Sequence, residues 1–327
     1  MLCDIDPQDY RVFSGATPLS QSIMQGFDVH TALVHADPNT PELSELILDV
    51  ADNTASGFVF GGLTSSRASD VQIALNIDRS QPVSKRGKGV YVGGLSGVAF
   101  SSQVSLLTRV TQGCVPFSNM RTITEVKDHV VLTLDNAPAL YALMQDLDVP
   151  IDNPRSAVDK VRETLVGLSQ PDQPLLRLTG GLDDAAIVRH IIGLDPVRHG
   201  VAIAYHVKEG MKVAFCKRDA VSAKADLLRI ATEIREALEP WEQSAQEAED
   251  LADSLLSQPH PGRRIAGAIY VSCTGRGGPH FGAPNAELNI IRRALGDVPL
   301  VGFFAAGEIA YQQVYGYTGV LTVFTTL

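Results

Sequence analysis

The chain has 327 residues, 45% of them hydrophobic, with 37 acidic against 27 basic side chains and a formal net charge of −10. That length supports two domains or one large two-part unit with a sizeable core. The acidic balance argues against a nucleic-acid partner, because phosphate binding needs clustered Lys and Arg, and the one tight basic cluster, Lys85, Arg86 and Lys88, reads as a solvated turn. Cys3, Cys114, Cys216 and Cys273 form no CxxC pair, which points to free thiols in a reducing compartment rather than a zinc site or a disulfide framework. No signal peptide and no apolar run of bilayer length is visible, so a cytoplasmic protein without a membrane partner is expected.

In chain order, strands are expected at 30–36, 56–62, 89–102 and 103–111, where apolar residues alternate or run between turn residues. A hairpin follows across Lys127-Asp128. Asn136 is placed to cap a helix carrying Leu140, Leu143, Met144 and Leu147 on one stripe. A second helix is expected over 156–168, with Val158, Val161, Leu165 and Leu168 aligned. "HGVAIAYHV" and "MKVAFCKR" read as a hairpin joined across Lys208-Glu209-Gly210. The clearest helix is 220–239, with Leu227, Ala231, Ile234 and Leu238 on one face and Pro240 behind them. An acidic linker covers 240–262. A strand (265–273), a glycine loop, a helix (284–295) and strands at 299–306 and 315–326 close the chain.

Residues 41–62 align without a gap on 286–307, sharing Glu42/Glu287, Leu43/Leu288, Asp52/Asp297, Gly57/Gly302, Phe58/Phe303 and Gly62/Gly307. An apolar strand precedes each copy, and "GLSGV" (94–98) matches "GYTGV" (316–320) after them. The spacing predicts an α/β protein of two related halves with mixed sheets and helices packed on them, each half a strand-helix-strand-strand unit. A cleft where such halves meet is a natural seat for a small molecule.

The copies differ most at "SCTGRGGPHFG" (272–282) and at the carboxylate after "GFFAAG". The loop lacks the Gly-Lys-Ser/Thr of a P-loop and the glycine spacing of a dinucleotide fingerprint. Gly275 and Gly277, just ahead of a helix, would let backbone N–H groups converge on an anion, with Pro284 fixing the first helical turn. Arg276 offers a bidentate grip on a carboxylate. Glu308, beside Gly307 at a strand end, would take an ammonium or hydroxyl group. Phe281, Phe303, Phe304 and Tyr311 would supply apolar walls. Cys273 and His280 raise a nucleophile alternative, against which a buried structural cysteine and a local loop histidine are the ordinary readings.

"CTGRGGPHFGAPNAEL", "PLVGFFAAGEIA" and the closing "YGYTGVLTVF" resemble the C-terminal region of the FIST family, a sensory domain of bacterial signalling proteins and some eukaryotic F-box proteins. "FGGLTSS" (60–66), "GGLSGVAF" (93–100) and the run 113–140 are similar to its N-terminal region. The resemblance implies an N-terminal region over 1–135 and a C-terminal one over 136–327. It implies a small ligand such as an amino acid, which the residue reading places at Cys273, Gly275, Arg276, Gly277, His280, Gly307 and Glu308; and, the chain holding no output domain, a signalling protein of kinase or cyclase class is expected in trans. No metal or obligatory cofactor is implied. Because some members bind haem and report nitric oxide, a haem sensor is one alternative, with His199 and His206 as candidate ligands. A cysteine-dependent enzyme and an interaction scaffold are others. Two departures stand out. Ala310-Tyr311 replaces the family's Gly-Pro, and the opening "MLCDIDPQDYRVFSG" looks like the tail of a strand-helix-strand segment, which leaves an expected sheet edge open to self-association.

Overall fold

The computed structural model describes residues 5–15, 27–68, 70–74, 89–149, 154–178, 180–238 and 264–326. Cys3, the basic cluster at 85–88 and the expected linker 240–262 lie outside them. The elements in order are β1 (Tyr10–Gly15), β2 (Thr31–Ala36), α1 (Leu43–Asp52), β3 (Val59–Leu63), β4 (Gln72–Ile73), β5 (Val90–Tyr91), β6 (Leu95–Phe100), β7 (Leu106–Thr111), β8 (Cys114–Pro116), β9 (Arg121–Lys127), β10 (Val130–Leu134) and β11 (Ala137–Pro138). Then come α2 (Ala139–Asp146), α3 (Pro154–Glu163), β12 (Leu165–Ser169), β13 (Ile187–Asp195), β14 (Gly200–Ile203), β15 (Lys212–Arg218) and α4 (Ala220–Leu238). β16 (Arg264–Cys273), α5 (Ala286–Leu295), β17 (Leu300–Ala305), β18 (Glu308–Tyr311), β19 (Gln313–Tyr315) and β20 (Gly319–Thr326) complete the set.

The duplication is visible in the strand order. One sheet runs β1-β6-β2-β3-β18-β19 and a second runs β17-β16-β20-β7. Read outward, β1-β6-β2-β3 and β7-β20-β16-β17 are the same four-strand unit. In each, two parallel strands are joined through a helix and the third returns antiparallel on the far side. The helices start alike, on residues in the left-handed region, Glu42 (φ 53°) and Asn285 (φ 59°).

Register corrects the ungapped alignment. Gly61 lies opposite Val34 and Gly302 opposite Tyr270, and at each a Cβ would fall 1.9 Å from that partner's carbonyl oxygen. Gly61, not Gly57, is therefore the counterpart of Gly302. Glycine is required there so that neighbouring backbones can approach. Gly302→Ala is expected to cost about 1–3 kcal/mol in urea unfolding, because β16 and β17 must part to admit the methyl group; an unchanged midpoint would contradict that packing.

The two sheets face each other with helices outside. Phe324 of β20 meets Phe100 and Phe60 at ring-centroid distances of 5.6 and 6.5 Å. On the outer faces α1 buries Leu46, Ile47 and Val50 against the first sheet. α4 and α5 bury Leu227, Ile230, Ile234 and Ile291 against the second, at about 1.5–3 kcal/mol per side chain removed from water. The stripe expected on 220–239 faces this core, with Leu238 at its half-buried end.

Between β7 and α4 the chain builds a third sheet, β11-β10-β14-β13-β12-β15-β8, with β9 paired to both β10 and β15. β9-β10-β14-β13-β12-β15 thus closes on itself as a six-stranded antiparallel barrel, which leaves those strands no open edge. It draws strands from both sides of the expected 135/136 boundary, and β7 and the β18–β19 hairpin also sit in sheets with strands from the other side of that boundary.

Several expected elements shift. The run 156–168 is helical only to Glu163; "LVGLS" is β12, wholly buried between β13 and β15, and Val158 is exposed. Burial on both faces overrides the helical spacing there. β14 and β15 do not pair; β14 makes its hairpin with β13 instead. Gly93 and Gly94, at φ 76° and 71°, split the expected strand 89–102. Asn136 sits in the β10–β11 turn at φ 65°, its N–H bonded to Thr124 Oγ1, and Pro138 takes the N-cap of α2. Pro284 precedes the α5 cap rather than entering its first turn.

Candidate functional site

The glycine loop leaves the end of β16 as two short 3-10 turns, Thr274–Arg276 and Gly278–Phe281. Two of its glycines, Gly275 and Gly277, are seats for aromatic rings. A Cβ on Gly275 would meet Tyr317 at 3.0 Å, and one on Gly277 would meet Phe304 at 3.1 Å. The Gly277 N–H bonds back to the Thr274 carbonyl and is committed within the loop, and the Gly275 carbonyl accepts from Arg218.

Arg276 is also committed inward. It is 1% exposed, lies over the Phe281 ring at 5.0 Å, and its Nε donates to Glu287 Oε1 at 3.0 Å. Glu287, in the first turn of α5, further accepts from Tyr270 Oη at 2.6 Å and Ser272 Oγ at 2.9 Å. The expected free grip on a ligand carboxylate is therefore corrected: the carboxylate that Arg276 holds is the protein's own. His280 is half-buried and packs edge-on against Phe281. A crevice of about 660 Å³ opens beside this network, walled by Phe281, Phe303, Phe304 and α5's start, with Arg276 and Gly277 at its floor.

Glu308 begins β18, paired across to Gly62 of β3, and is 0% exposed. Its Oε2 accepts from the Thr318 hydroxyl at 2.7 Å and the Thr318 N–H at 3.2 Å, while Oε1 has no hydrogen-bond partner among the described residues. Burial pushes the carboxyl up to about 8, the Thr318 bonds opposing it. The Cys273 thiol adjoins it, and burial, then the nearby carboxylate, push that thiol up to about 11. This is opposite in direction to an activated nucleophile. Alkylation of native Cys273 by iodoacetamide at neutral pH, followed by mass spectrometry, is expected to run about 100-fold slower than for free cysteine; a rate matching the free thiol would contradict the burial. Gly307 gives its carbonyl to the Leu63 N–H, and a Cβ there would meet Val314 at 2.7 Å.

Arg276 and Glu308 thus do not share a hollow: Arg276 floors the smaller crevice and Glu308 lines neither cavity. What Cys273 and Gly275 face is a much larger cleft of about 1470 Å³. One side is the barrel, through Arg189 and His190 of β13 and the segment Ala204–Lys208. The other is α1, the β18–β19 hairpin and its continuation to Tyr317. Of the four aromatics expected as walls, Tyr311 lines this cleft. Two side-chain bonds span its layers: Arg189 Nη2 donates to the Val314 carbonyl at 2.7 Å, and Tyr317 Oη meets His190 Nε2 at 2.7 Å. Arg189, His190 and Tyr317 were missed in the sequence. The one available signal was Arg189-His190 inside an otherwise apolar strand.

The histidines weighed as haem ligands, His199 and His206, lie apart, beyond opposite ends of β14. His199 stacks on Tyr141 at the barrel's β13–β14 turn, His190 is engaged by Tyr317, and His206 stands exposed on the polar rim beside Lys208. Among the described residues no three His, Cys, Asp or Glu side chains are grouped to hold a metal ion, and no helix is long and apolar enough to cross a membrane.

Comparison with known proteins identifies two domain families in the chain. The family model for the FIST N domain matches residues 6–137, and that for the FIST C domain matches residues 155–311. An uncharacterized protein of Mycobacterium tuberculosis is 28% identical over 257 residues, covering 73% of this chain and 56% of its own length. An uncharacterized protein of Mycobacterium bovis is 27% identical over 304 residues, covering 91% of this chain and 67% of its own length. The chain thus spans a little over half of the first relative and two thirds of the second.

Proposed function

This chain belongs to the FIST family, whose domains are sensory, ligand-binding modules of signal transduction, and we propose that it is a bacterial sensor that binds an amino-acid-like metabolite in the 1470 Å³ cleft. That cleft is the observation that carries the reading. It opens between the barrel and the duplicated α/β body, so a ligand in it touches both. A ligand acts as a signal only by preferring one arrangement of those layers. The Arg189–Val314 and His190–Tyr317 bonds are the contacts that such a preference would strengthen or release. Occupancy then passes to a separate signalling protein of the kinase or cyclase class.

A thermal-shift screen of amino acids and related metabolites tests this, with Ala204→Trp as the control. Ala204 is exposed on the cleft wall, so the indole fills the cleft without entering a core. A binder is expected to raise the melting temperature of the native protein and to lose about tenfold or more in affinity to the variant. Binding that is indifferent to Ala204→Trp would move the site elsewhere.

A further inference from the structure

Among the described residues, arginines packed into this protein are matched by carboxylates, with one exception. Arg276 has Glu287 at 3.0 Å, Arg121 has Asp146 at 2.5 Å, and Arg177 and Arg229 share Asp226 at 2.6 and 2.7 Å. Arg189 is half-buried in the cleft wall, where desolvation pulls its pKa down, yet among the described residues its partners are two carbonyls and a ring. Nη1 donates to Val188 at 2.9 Å and Nη2 to Val314 at 2.7 Å, and Tyr205 lies 5.2 Å away. The carboxylate that most influences it, Glu308, is turned to Thr318 and held toward its neutral form. A partly desolvated cation without an anion carries a cost, and such departures from stability gather at functional sites.

Basic groups gather on one side of the cleft. In a chain of net charge −10, the barrel side of the cleft presents Arg189, His190, His206 and Lys208 together. Acidic groups also line the cleft. Glu45 comes from α1, Asp183 is bonded to the Ala185 N–H, and Asp184 is paired with Arg177.

We propose that Arg189 is the receptor for an oxyanion on the ligand, a carboxylate or phosphate group held in its guanidinium fork. This rests on the sensor reading and supplies the chemistry that selects the ligand. Because the same guanidinium ties β13 to β19, anion binding acts directly on the contact between the two layers.

The test uses the full chain with three probes at equal ionic strength: glutarate, inorganic phosphate, and glutaramide as the uncharged counterpart of glutarate. Glutarate or phosphate is expected to raise the melting temperature and give a calorimetric binding signal, and glutaramide to give neither. Arg189→Met is expected to weaken the same probe about 10- to 100-fold while the ligand-free protein melts no lower than native. Arg189→Lys, which keeps the charge and loses the fork, is expected to weaken it by a smaller factor and serves if the Met variant does not fold. Lys208→Met, on the exposed rim, is expected to change it less than about threefold.

A purely structural Arg189 would show the reverse, a lower melting temperature with unchanged affinity. Glutaramide binding as well as glutarate, or full affinity in both Arg189 variants, overturns the proposal. So does silence from both anions. If neutral metabolites from the wider screen still bind, the sensor reading survives that failure; if nothing binds, both fall.

Discussion

Glu287→Ala is expected to destabilise the protein by about 3–5 kcal/mol in chemical denaturation, because it strands the Arg276 guanidinium in a dry site. Arg276 is 1% exposed and Glu287 8%, and the Tyr270 and Ser272 hydroxyls lose their acceptor at the same time. A solvated pair would be worth less than about 1 kcal/mol, so the size of the loss reports burial. Replacing both partners with apolar residues of similar volume, Arg276→Met with Glu287→Leu, is expected to recover most of it. A loss below about 1 kcal/mol would mean that Arg276 is solvated and free to meet a ligand after all.

The second large effect is a pH dependence that Glu308 imposes. Its folded carboxyl titrates near 8 instead of the usual 4.5. Between those values the native state holds a proton that the unfolded state has released, so stability falls as pH rises. The contribution is intact below about pH 4.5 and lost as pH climbs through about 8, a change on the order of 5 kcal/mol at 1.36 kcal/mol per unit. Glu308→Gln imitates the protonated acid, keeps a carbonyl oxygen for Thr318, and is expected to flatten the profile and raise stability at alkaline pH. Urea midpoints measured on both sides of the window decide the matter. Equal slopes for native and variant protein would place the carboxylate in water.

The duplicated topology was legible because it is written locally: an apolar strand, a helix of fixed length and a Gly-Phe strand occur twice. Its register was not, since Gly61 and Gly302 are equivalent through what they touch across the sheet, Val34 and Tyr270, rather than through their neighbours in sequence. The barrel was hidden for a similar reason. "LVGLS" fits the helical stripe of the residues before it, and only burial between β13 and β15 makes it a strand.

At the site, the sequence marked unusual residues without revealing their partners. Arg276 lies eleven residues before Glu287, and a carboxylate in a first helical turn behind a loop arginine was a readable sign of an internal pair. Arg189 carries no such sign. Its contact with Val314 spans 125 residues, and what distinguishes it, a missing counter-charge, exists only in three dimensions.

The claim on which the rest depends is that ligand enters between the barrel and the duplicated body. A crystal structure with the best binder from the screen tests it most directly. Electron density is expected in the large cleft, against Arg189 and the Cys273–Gly275 wall. Density in the small crevice beside Arg276, with the large cleft holding only solvent, would contradict it.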